Sequence, residues 1–399
     1  MGRKLLGRRE FIKSSTAGLG GFIYLSSNEK KEEPIKKERK FVYRTLGKTG
    51  IKIPVVGMGV MNSDNPNLVR AALDAGIVHL DTAWFYGRGR NEQAIGQVIK
   101  GRSRDSYILG TKVVLPRDTA WGKYDEEEAT EDLFLERFHE SLKRLQLDYV
   151  DILYHHDTTN QGMALYEPVL NALVKVKKEG KARFIGISTH ANEPEVIKAA
   201  IKSKTYEVIL TSYNYKQRHY LEMKEAIGKA AEAGLGVIAM KTMAGGMSGK
   251  LGDNIPAAAA ALKWVLQDPN VHTTIPGFTT FDQMEVDLAV MEDLTLTDPD
   301  KKLLKTTSAA PGLYCQGCGQ CVRGCVAKLP IPELMRAYMY TYGYKNLRFA
   351  QEIFTSLGLP RNICQDCGQC SVKCTIGFDV PGKIRNIARL RYVPKEFLA

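Results

Sequence analysis

Cysteine is absent from the first 314 residues of this 399-residue chain, and all eight cysteines lie between Cys315 and Cys374. Long apolar segments are absent as well, because the stretch Ala17–Leu25 is too short for a membrane-spanning helix, which needs ~20 residues. No DNA- or RNA-binding motif accompanies the formal net charge of +12. These absences argue against a stable transmembrane segment and against a nucleic-acid partner.

The basic excess lies at the two ends of the chain. Residues 1–40 carry a net charge of +6 and residues 301–399 carry +10, so the middle of the chain is slightly acidic. Apolar residues make up 44% of the sequence. This content is enough for one large domain of roughly 250 residues and a smaller second one.

The first 27 residues contain the pair Arg8 and Arg9, followed by Phe11, Lys13 and a short apolar stretch. This pattern resembles a twin-arginine export signal, which implies a periplasmic or other extracytoplasmic location. An ordinary basic tail on a cytoplasmic protein is the alternative. Residues 28–40 mix charges of both signs with little apolar content, which predicts a solvated linker.

From Phe41 onward, short β-branched runs alternate with amphipathic segments of helical period. We predict eight strands, beginning at Ile53, Val78, Tyr107, Val150, Arg183, Val208, Gly236 and His272. Helical segments lie between them, for example from Thr130 and from Met163. The repeat predicts an α/β fold, a (β/α)8 TIM barrel over residues 41–300. A doubly wound open sheet is less favoured because no GxGxxG turn follows the first strand.

Four polar side chains lie at or just beyond the ends of the second, third and fourth strands: Asp81, Tyr86, Lys112 and His156. Catalytic residues of such a barrel gather at the C-terminal ends of its strands. A tyrosine hydroxyl, with a pKa of about 10, is a poor acid unless a cation lies beside it. Lys112 would supply that charge, Asp81 would hold Lys112, and His156 would hydrogen-bond a carbonyl oxygen. Taken singly, each residue would be better explained by packing or by a structural ion pair; the four together favour catalysis.

Residues 41 to about 293 resemble the aldo-keto reductase family through the segments LGKTGIKIPVVGMG, LDTAWFYGRGRNEQAIG, GTKV, DYVDILYHH and IGIST. The resemblance implies NAD(P)H-dependent reduction of a small carbonyl substrate, or the reverse oxidation of an alcohol. It places the catalytic tetrad on Asp81, Tyr86, Lys112 and His156, with Tyr86 as the general acid. His155 would then be a packing residue.

The positions that hold the nicotinamide in this family are altered here. The usual Ser-Asn pair reads Ser188 and Thr189, and the usual glutamine of the sixth strand reads Leu210. The aromatic residue that stacks on the nicotinamide is replaced by Met240, which Lys241 follows. The resemblance therefore assigns Ser188, Met240 and Lys241 to the cofactor site, with part of the usual set of contacts missing.

The segment after the eighth strand is where members of this family distinguish NADP from NAD. Family members that prefer the 2′-phosphate of NADP carry lysine and arginine where this chain has Gly277 and Gln283. A basic pair would neutralise the phosphate, so its loss removes one reason to favour NADP. The cofactor is thus expected to be NADP or NAD, with Gly277 beside it.

The eight cysteines form two copies of the pattern CxxCxxCxxxC, and they are Cys315, Cys318, Cys321, Cys325, Cys364, Cys367, Cys370 and Cys374. The pattern resembles two-cluster ferredoxins, which implies two [4Fe-4S] clusters. In those proteins the fourth ligand comes from the other copy, so Cys374 would complete the first cluster and Cys325 the second. Zinc and disulfides are the alternatives, although zinc modules usually carry two separated CxxC pairs. Val326 and Thr375 stand where a proline is common.

The segment between the two cysteine ladders predicts two helices joined at Gly343, which resembles the α-helical type of ferredoxin. We therefore expect a small ferredoxin-like domain over residues 301–399. A nicotinamide transfers two electrons as hydride, whereas a cluster accepts one at a time. The clusters are thus expected either to build a structural cap or to pass electrons to a redox partner protein.

Overall fold

The computed structural model describes residues 39–63, 65–117, 122–245, 251–309, 312–360, 362–364, 367–368 and 370–398. The predicted export signal and nearly all of the predicted linker lie outside these residues. The elements below belong to the unit Lys40–Ala399. No helix in the described part is both long and apolar enough to cross a membrane.

Eight parallel strands form one sheet in the order of the sequence. They are β3 (Met58–Gly59), β4 (His79–Asp81), β5 (Ile108–Val113), β6 (Val150–His155), β7 (Ala182–Thr189), β8 (Val208–Ser212), β9 (Gly236–Met240) and β10 (Thr273–Thr274). The first and last strands meet, because Gly57 N donates to Thr274 O at 2.7 Å and Thr274 N donates to Val55 O at 3.0 Å. The sheet therefore closes into the predicted barrel.

Helices follow the strands around the outside of the barrel. They are α1 (Pro66–Ala75), α2 (Arg90–Ile99), α3 (Glu131–Leu145), α4 (Gln161–Ala164), α5 (Glu167–Lys178), α6 (Glu193–Ser203), α7 (Tyr220–Glu232), α8 (Leu251–Leu266), α9 (Phe281–Glu292) and α10 (Asp298–Ala309). The helix predicted from Thr130 is α3, and Thr130 caps it by accepting a hydrogen bond from Leu133 N. The segment predicted from Met163 is two helices, because Pro168 lies in the first turn of α5 and favours a new start there.

The first predicted strand is divided between two structures. Lys52–Pro54 (β2) pairs antiparallel with Tyr43–Thr45 (β1) in a hairpin, and only Met58–Gly59 joins the barrel. Side chains of this hairpin pack against apolar residues inside the barrel in a cluster made of Leu46, Ile51, Ile53, Ile152, Tyr154, Val208, Leu210, Ile238 and Ile275. The hairpin thus plugs the N-terminal end of the barrel and leaves the C-terminal end for a site.

Residues 312–398, here called the cap, contain helices, turns and irregular segments but no strand among the described residues. The cap contains α11 (Gln320–Arg323), α12 (Ile331–Tyr342), α13 (Leu347–Ser356) and α14 (Val380–Ala388). It has its own apolar core, which also includes Ala244 from the loop after β9. The prediction of two helices joined at Gly343 is confirmed by α12 and α13. The expected boundary at residue 300 falls inside α10, which packs against α8 of the barrel.

Gly343 allows the cap to approach the barrel closely. A Cβ atom at this position would overlap the carbonyl oxygen of Gly245, in the loop after β9, and would also approach Met339 O at 2.8 Å. The backbone φ of −88° would suit any residue, so the requirement for glycine is steric. The end of α12 therefore touches the barrel mouth directly.

Candidate active site

A cavity of about 950 Å³ lies between the C-terminal ends of the barrel strands and the cap. The barrel contributes Asp81, Tyr86, Lys112 and His156 to its lining, and the cap contributes residues of α12 and α13. All four predicted catalytic residues therefore face one space. The cap closes part of this space, which shields it from water.

Lys112 and Asp81 form a buried ion pair at the floor of the cavity. Lys112 Nζ also donates a hydrogen bond to Thr82 O at 2.6 Å and lies 5.2 Å from the centre of the Tyr86 ring. Burial raises the pKa of Asp81 and lowers that of Lys112, and the charge of each partner opposes the shift. The pair places an ammonium group next to Tyr86, as the sequence predicts.

Tyr86 begins a 3-10 turn, Tyr86–Gly89, just beyond β4. Burial raises the pKa of its hydroxyl well above the ordinary value; Asp81 and Asp157 raise it further, and Arg336 lowers it. The direction is opposite to the expected lowering by Lys112, because loss of solvation outweighs the cation. The hydroxyl is therefore fully protonated at neutral pH and available as a proton donor.

His156 lies beside Tyr86 and is neutral. The two rings are 6.3 Å apart in an edge-on arrangement, and Phe85 stacks on the imidazole with ring centres 5.2 Å apart. Burial holds the pKa of His156 well below its usual range. His156 Nδ1 has no hydrogen-bond partner among the described residues. His155 lies elsewhere, between the hydroxyl groups of Tyr124 and Tyr206, which fits the packing role predicted for it.

A charged cluster next to the tetrad joins the barrel to the cap. Asp157 at the end of β6 accepts hydrogen bonds from Arg117 Nη2 at 2.6 Å and from Arg336 Nη1, on α12, at 3.1 Å. Arg336 Nη2 donates to His190 Nδ1 at 3.2 Å, and His190 Nε2 lies 2.8 Å from Asp157 Oδ1. Although burial opposes ionisation, the charges of Arg336, His190 and Arg117 hold the pKa of Asp157 well below its usual range.

The four residues assigned to the cofactor by resemblance are only partly brought together. Met240, Lys241 and Gly277 line the cavity. Ser188 is fully buried, does not line the cavity, and its Oγ has no hydrogen-bond partner within the described residues. Leu210 packs in the apolar plug, so it takes no part in binding. Ser188 and Leu210 are thus buried in the packing of the barrel, whereas Met240, Lys241 and Gly277 face the cavity.

One end of the cavity is lined by the segment after β10. It contains Gly277, Thr279, Gln283 and Asp287, and no lysine or arginine of this segment faces it. Gln283 Oε1 accepts a hydrogen bond from Thr279 N at 2.8 Å. The carboxyl group of Asp287 is buried, its Oδ2 has no partner in the described part of the chain, and burial raises its pKa well above the usual range.

No disulfide joins the eight cysteines of the two ladders in this structure. Burial raises the pKa of Cys315 to about 12, with further increases from Cys321, Cys374 and Cys318. In the second ladder, burial raises the pKa of Cys364 to about 11, with contributions from Cys325, Cys367 and Cys370. The last cysteine of each ladder thus lies beside the other ladder. No three metal-binding side chains of the described residues are arranged around a single ion.

Several cavity residues were not found by sequence reasoning. Asp157 directly follows His156 at a strand end, so a longer reading of that strand would have included it. Arg117 lies in a loop with no recognisable motif. Arg336 and Tyr340 lie on a cap helix, and no local pattern of that helix indicates that it covers the barrel.

The family model described as the aldo/keto reductase family matches residues 57–257. L-galactose dehydrogenase of Arabidopsis thaliana is 28% identical over 309 residues, which are 68% of this chain and 94% of that protein. L-glyceraldehyde 3-phosphate reductase of Escherichia coli K12 is 25% identical, over 64% of this chain and 89% of that protein.

Solved structures show the same fold. An aldo-keto reductase from Bacillus halodurans, in its holo form, superposes with a TM-score of 0.53 and 24% identity, over 67% of this chain and 96% of that chain. The cap begins beyond the end of the family match at residue 257. Because the family match covers half of the chain and includes all four tetrad positions, the chain belongs to the aldo/keto reductase family of NAD(P)-dependent oxidoreductases.

Proposed function

We propose that this enzyme interconverts a carbonyl compound and an alcohol, with Tyr86 as the general acid and base. The proposal is carried by the convergence of Tyr86, Lys112, Asp81 and His156 on one cavity. Tyr86 is protonated, so it can donate its proton to a carbonyl oxygen. The neutral imidazole of His156 can hydrogen-bond the same oxygen and orient it.

Lys112 and Asp81 act through Tyr86. When the carbonyl is reduced, Tyr86 loses a proton and its oxygen becomes negative. The Lys112 ammonium, held by Asp81 and Thr82 O, lies next to this charge and stabilises it in a space with little water. In the reverse direction the Tyr86 oxygen takes a proton from the alcohol. The geometry thus explains why a buried lysine accompanies a buried tyrosine.

The hydride would be supplied by a bound NAD(P)H. Three observations fit a nicotinamide dinucleotide: the cavity is large enough, Met240 and Gly277 line it, and the buried Asp287 Oδ2 in its wall lacks a partner. The absence of a basic residue in the segment after β10 means that no cation there would bind a 2′-phosphate. We therefore propose NADP or NAD as the cofactor, with little discrimination between them.

The test of this function is the substitution Tyr86→Phe. We expect NAD(P)H-dependent reduction of aldehydes to fall by at least about 100-fold, the lower end for loss of a general acid. Tyr124→Phe is the matched control, because Tyr124 is buried outside the cavity. Equal turnover by Tyr86→Phe and the wild-type enzyme would overturn the proposal.

The names of the relatives suggest the kind of carbonyl. L-galactose dehydrogenase, L-glyceraldehyde 3-phosphate reductase and the 25% identical D-threo-aldose 1-dehydrogenase of a Pseudomonas species are all named for sugars or sugar-like aldehydes. We propose a hydroxylated aldehyde, or the corresponding alcohol, as the substrate. Turnover of a panel of aldoses against simple aliphatic aldehydes would test this.

We also propose that the cap is a ferredoxin-like domain holding two [4Fe-4S] clusters. The grouping of Cys374 with the first ladder and of Cys325 with the second supports the exchange of fourth ligands. Each iron of a cluster takes a different thiolate, so the sulfurs stand further apart than around a single ion. The lack of a single-ion arrangement is therefore compatible with clusters and argues against zinc.

A second candidate function is electron transfer between a barrel-bound substrate and a redox partner protein. It is favoured by the position of Cys315, which shares a small cavity of about 20 Å³ with His190, Lys241 and Arg336. A ladder cysteine is therefore close to the catalytic cavity. Adding substrate and cofactor anaerobically would change the cluster EPR signal in this case, and an unchanged signal in an active enzyme would count against it.

Export by the twin-arginine route is proposed from the sequence alone, since the residues concerned lie outside the described part. This route carries folded proteins, so clusters would be inserted before transport. Replacing Arg8 and Arg9 by lysine should leave the protein in the cytoplasm of the producing cell. Cell fractionation would measure this, and unchanged periplasmic recovery of the variant would contradict it.

A further inference from the structure

Lys241 lines the cavity, and the proposed mechanism does not use its charge. It directly follows β9 and has a backbone φ of +54°, a left-handed conformation that is unfavourable for lysine. This conformation turns the side chain toward the cap, where Nζ lies 5.7 Å from the centre of the Tyr340 ring and 5.8 Å from that of Tyr344. The surroundings therefore hold the ammonium group on the cap side of the cavity.

Four of the other lysines and arginines of the cavity have carboxylate partners, and the remaining two, Lys328 and Lys345, are exposed to solvent. The pairs are Lys112 with Asp81, Arg117 with Asp157, Arg336 with Asp157 and Glu333, and Arg88 with Glu352. Lys241 makes no ion pair with a carboxylate of the described residues. Asp157 and Glu333 are close enough to influence it, but both are held by the arginines. Lys241 is half-buried, and a cation partly removed from water without a counter-charge is unfavourable, a cost that an anionic ligand would reduce.

Lys241 is also close to the reacting group. Burial raises the pKa of Tyr340 and Tyr344, whose rings lie beside Lys241, and the proximity of Tyr86 raises both further. Burial and the charge of Arg336 together lower the pKa of Lys241 to about 7. An anion bound beside Nζ would oppose this lowering. A molecule that reaches both Tyr86 and Lys241 would carry its anionic group a short distance from its carbonyl.

We propose that Lys241 binds an anionic group of the substrate, a carboxylate or a phosphate, while the carbonyl of the same molecule faces Tyr86 and His156. The substrate class is thus an oxo acid or a phosphorylated aldehyde, and Lys241 is a specificity residue on the substrate side of the cavity. This differs from the cofactor contact that the family resemblance implies for Lys241. The inference rests on the proposed carbonyl chemistry for its kinetic test only.

The kinetic test compares pairs of aldehydes in which one member carries an anionic group and the other does not. One pair is succinic semialdehyde and butanal, and the other is glyceraldehyde 3-phosphate and glyceraldehyde. Lys241→Met keeps the length of the side chain and removes the charge. We expect it to lower the ratio of kcat/KM for the charged over the neutral member by about 10- to 100-fold, as expected for the loss of a charged hydrogen bond. The pair that responds identifies carboxylate or phosphate.

Two further variants distinguish the loss of the Lys241 charge from a general disturbance of the fold. Lys241→Arg keeps the cation and should restore most of the charged-to-neutral ratio. Lys345→Met removes another cavity lysine that makes no ion pair with a described carboxylate. Because Lys345 is exposed and its charge is screened by solvent, the charged-to-neutral ratio should change by less than about 2-fold. A raised KM for NADH and NADPH in Lys241→Met, with an unchanged substrate ratio, would overturn the proposal and return Lys241 to the cofactor site.

A binding measurement keeps the inference separate from turnover. Succinate, glycerol 3-phosphate and the neutral 1,4-butanediol are titrated into the full chain by calorimetry, for the wild type and for Lys241→Met. We expect at least one of the two anions to bind the wild type at least 10-fold more tightly than the variant, with no difference for the diol. Equal binding of both anions to the two proteins would refute the anion site. A wild type that binds an anion but reduces no aldehyde would instead refute the proposed function.

Discussion

Arg336 on cap helix α12 donates a hydrogen bond to Asp157 at the end of barrel strand β6, with Nη1 and Oδ2 3.1 Å apart across 179 positions of the sequence. The same carboxylate accepts a hydrogen bond from Arg117 and lies against His190. One buried aspartate next to His156 therefore fixes both the loop after β5 and the cap. The cap thus forms part of the candidate active site and is more than an appended domain.

The first prediction concerns the stability of this contact. Asp157→Asn removes the charge that two largely buried arginines share, and unpaired buried charges are strongly unfavourable. We expect the free energy of unfolding to fall by about 3 kcal/mol, with the cap becoming more sensitive to protease. Urea unfolding and limited proteolysis measure the two effects.

The control for this contact is Glu352→Gln. Glu352 pairs with Arg88, whose side chain is 66% exposed, so this substitution should cost less than about 1 kcal/mol. A loss of stability in Asp157→Asn no larger than in the control would show that the contact is not what holds the cap.

The barrel was predictable from the sequence because its signals are local. Each of the eight predicted strands overlaps an observed barrel strand, since a buried parallel strand consists of consecutive apolar, often β-branched residues. The first predicted strand wrongly combines the hairpin strand β2 with the barrel strand β3. Only three residues separate the two strands, and their sequence patterns look alike. The tetrad was predictable because strand ends of such a barrel lie on one rim.

The contribution of the cap was not predictable in the same way. The two helices around Gly343 were recognised, but their docking depends on Arg336, Glu333 and Tyr340 meeting partners far away in the sequence. Nothing in a helical pattern specifies which surface covers the helix. The upward direction of the pKa of Tyr86 was missed for a related reason, because burial under the cap outweighs the nearby cation.

The second prediction tests the exchange of ligands between the cysteine ladders. Cys374→Ser should remove the cluster of the first ladder, so the iron content should fall by about half, or about four atoms per chain. Adding Cys318→Ser should then cause no further loss, because Cys318 belongs to the same cluster. Adding Cys367→Ser instead should remove the remaining iron. The opposite result for the two double variants would mean that each ladder binds its own cluster without exchange.

The third prediction concerns stability in acid. Burial lowers the pKa of His79 and His190 to about 4 and that of His155 to about 3, and His156 is also lowered. The unfolded chain protonates these residues near pH 6.5, so below this pH it binds more protons than the native state. The free energy of unfolding should therefore fall as the pH decreases from about 6.5 to about 4, by up to about 1.4 kcal/mol per pH unit for each histidine.

Urea unfolding at pH 7, 6 and 5 would measure this slope. His79→Leu is an informative variant, because both ring nitrogens of His79 are buried without hydrogen-bond partners in the described part of the chain. In this variant the free energy of unfolding should depend less steeply on pH, by the contribution of one histidine, which is up to about 1.4 kcal/mol per pH unit. A stability that does not change between pH 7 and pH 5 would contradict the neutral state of these histidines.

The last prediction concerns the fit of the cap on the barrel mouth. Gly343→Ala adds a methyl group that overlaps Gly245 O. The overlap can be relieved only by moving the backbone at residue 343 or at Gly245, which separates α12 from the loop after β9. We expect a loss of about 1–3 kcal/mol of stability, the usual cost of overpacking, and a higher KM for the carbonyl substrate, because the wall carrying Arg336 and Tyr340 shifts.

Gly228→Ala is the matched control. Gly228 lies within α7, where an added Cβ meets only Asn270 Nδ2 at 3.8 Å, so alanine should stabilise the helix by up to about 1 kcal/mol and leave KM unchanged. If Gly343→Ala behaved like this control, the cap would have to tolerate separation from the barrel, and its helices could not define the substrate side of the cavity.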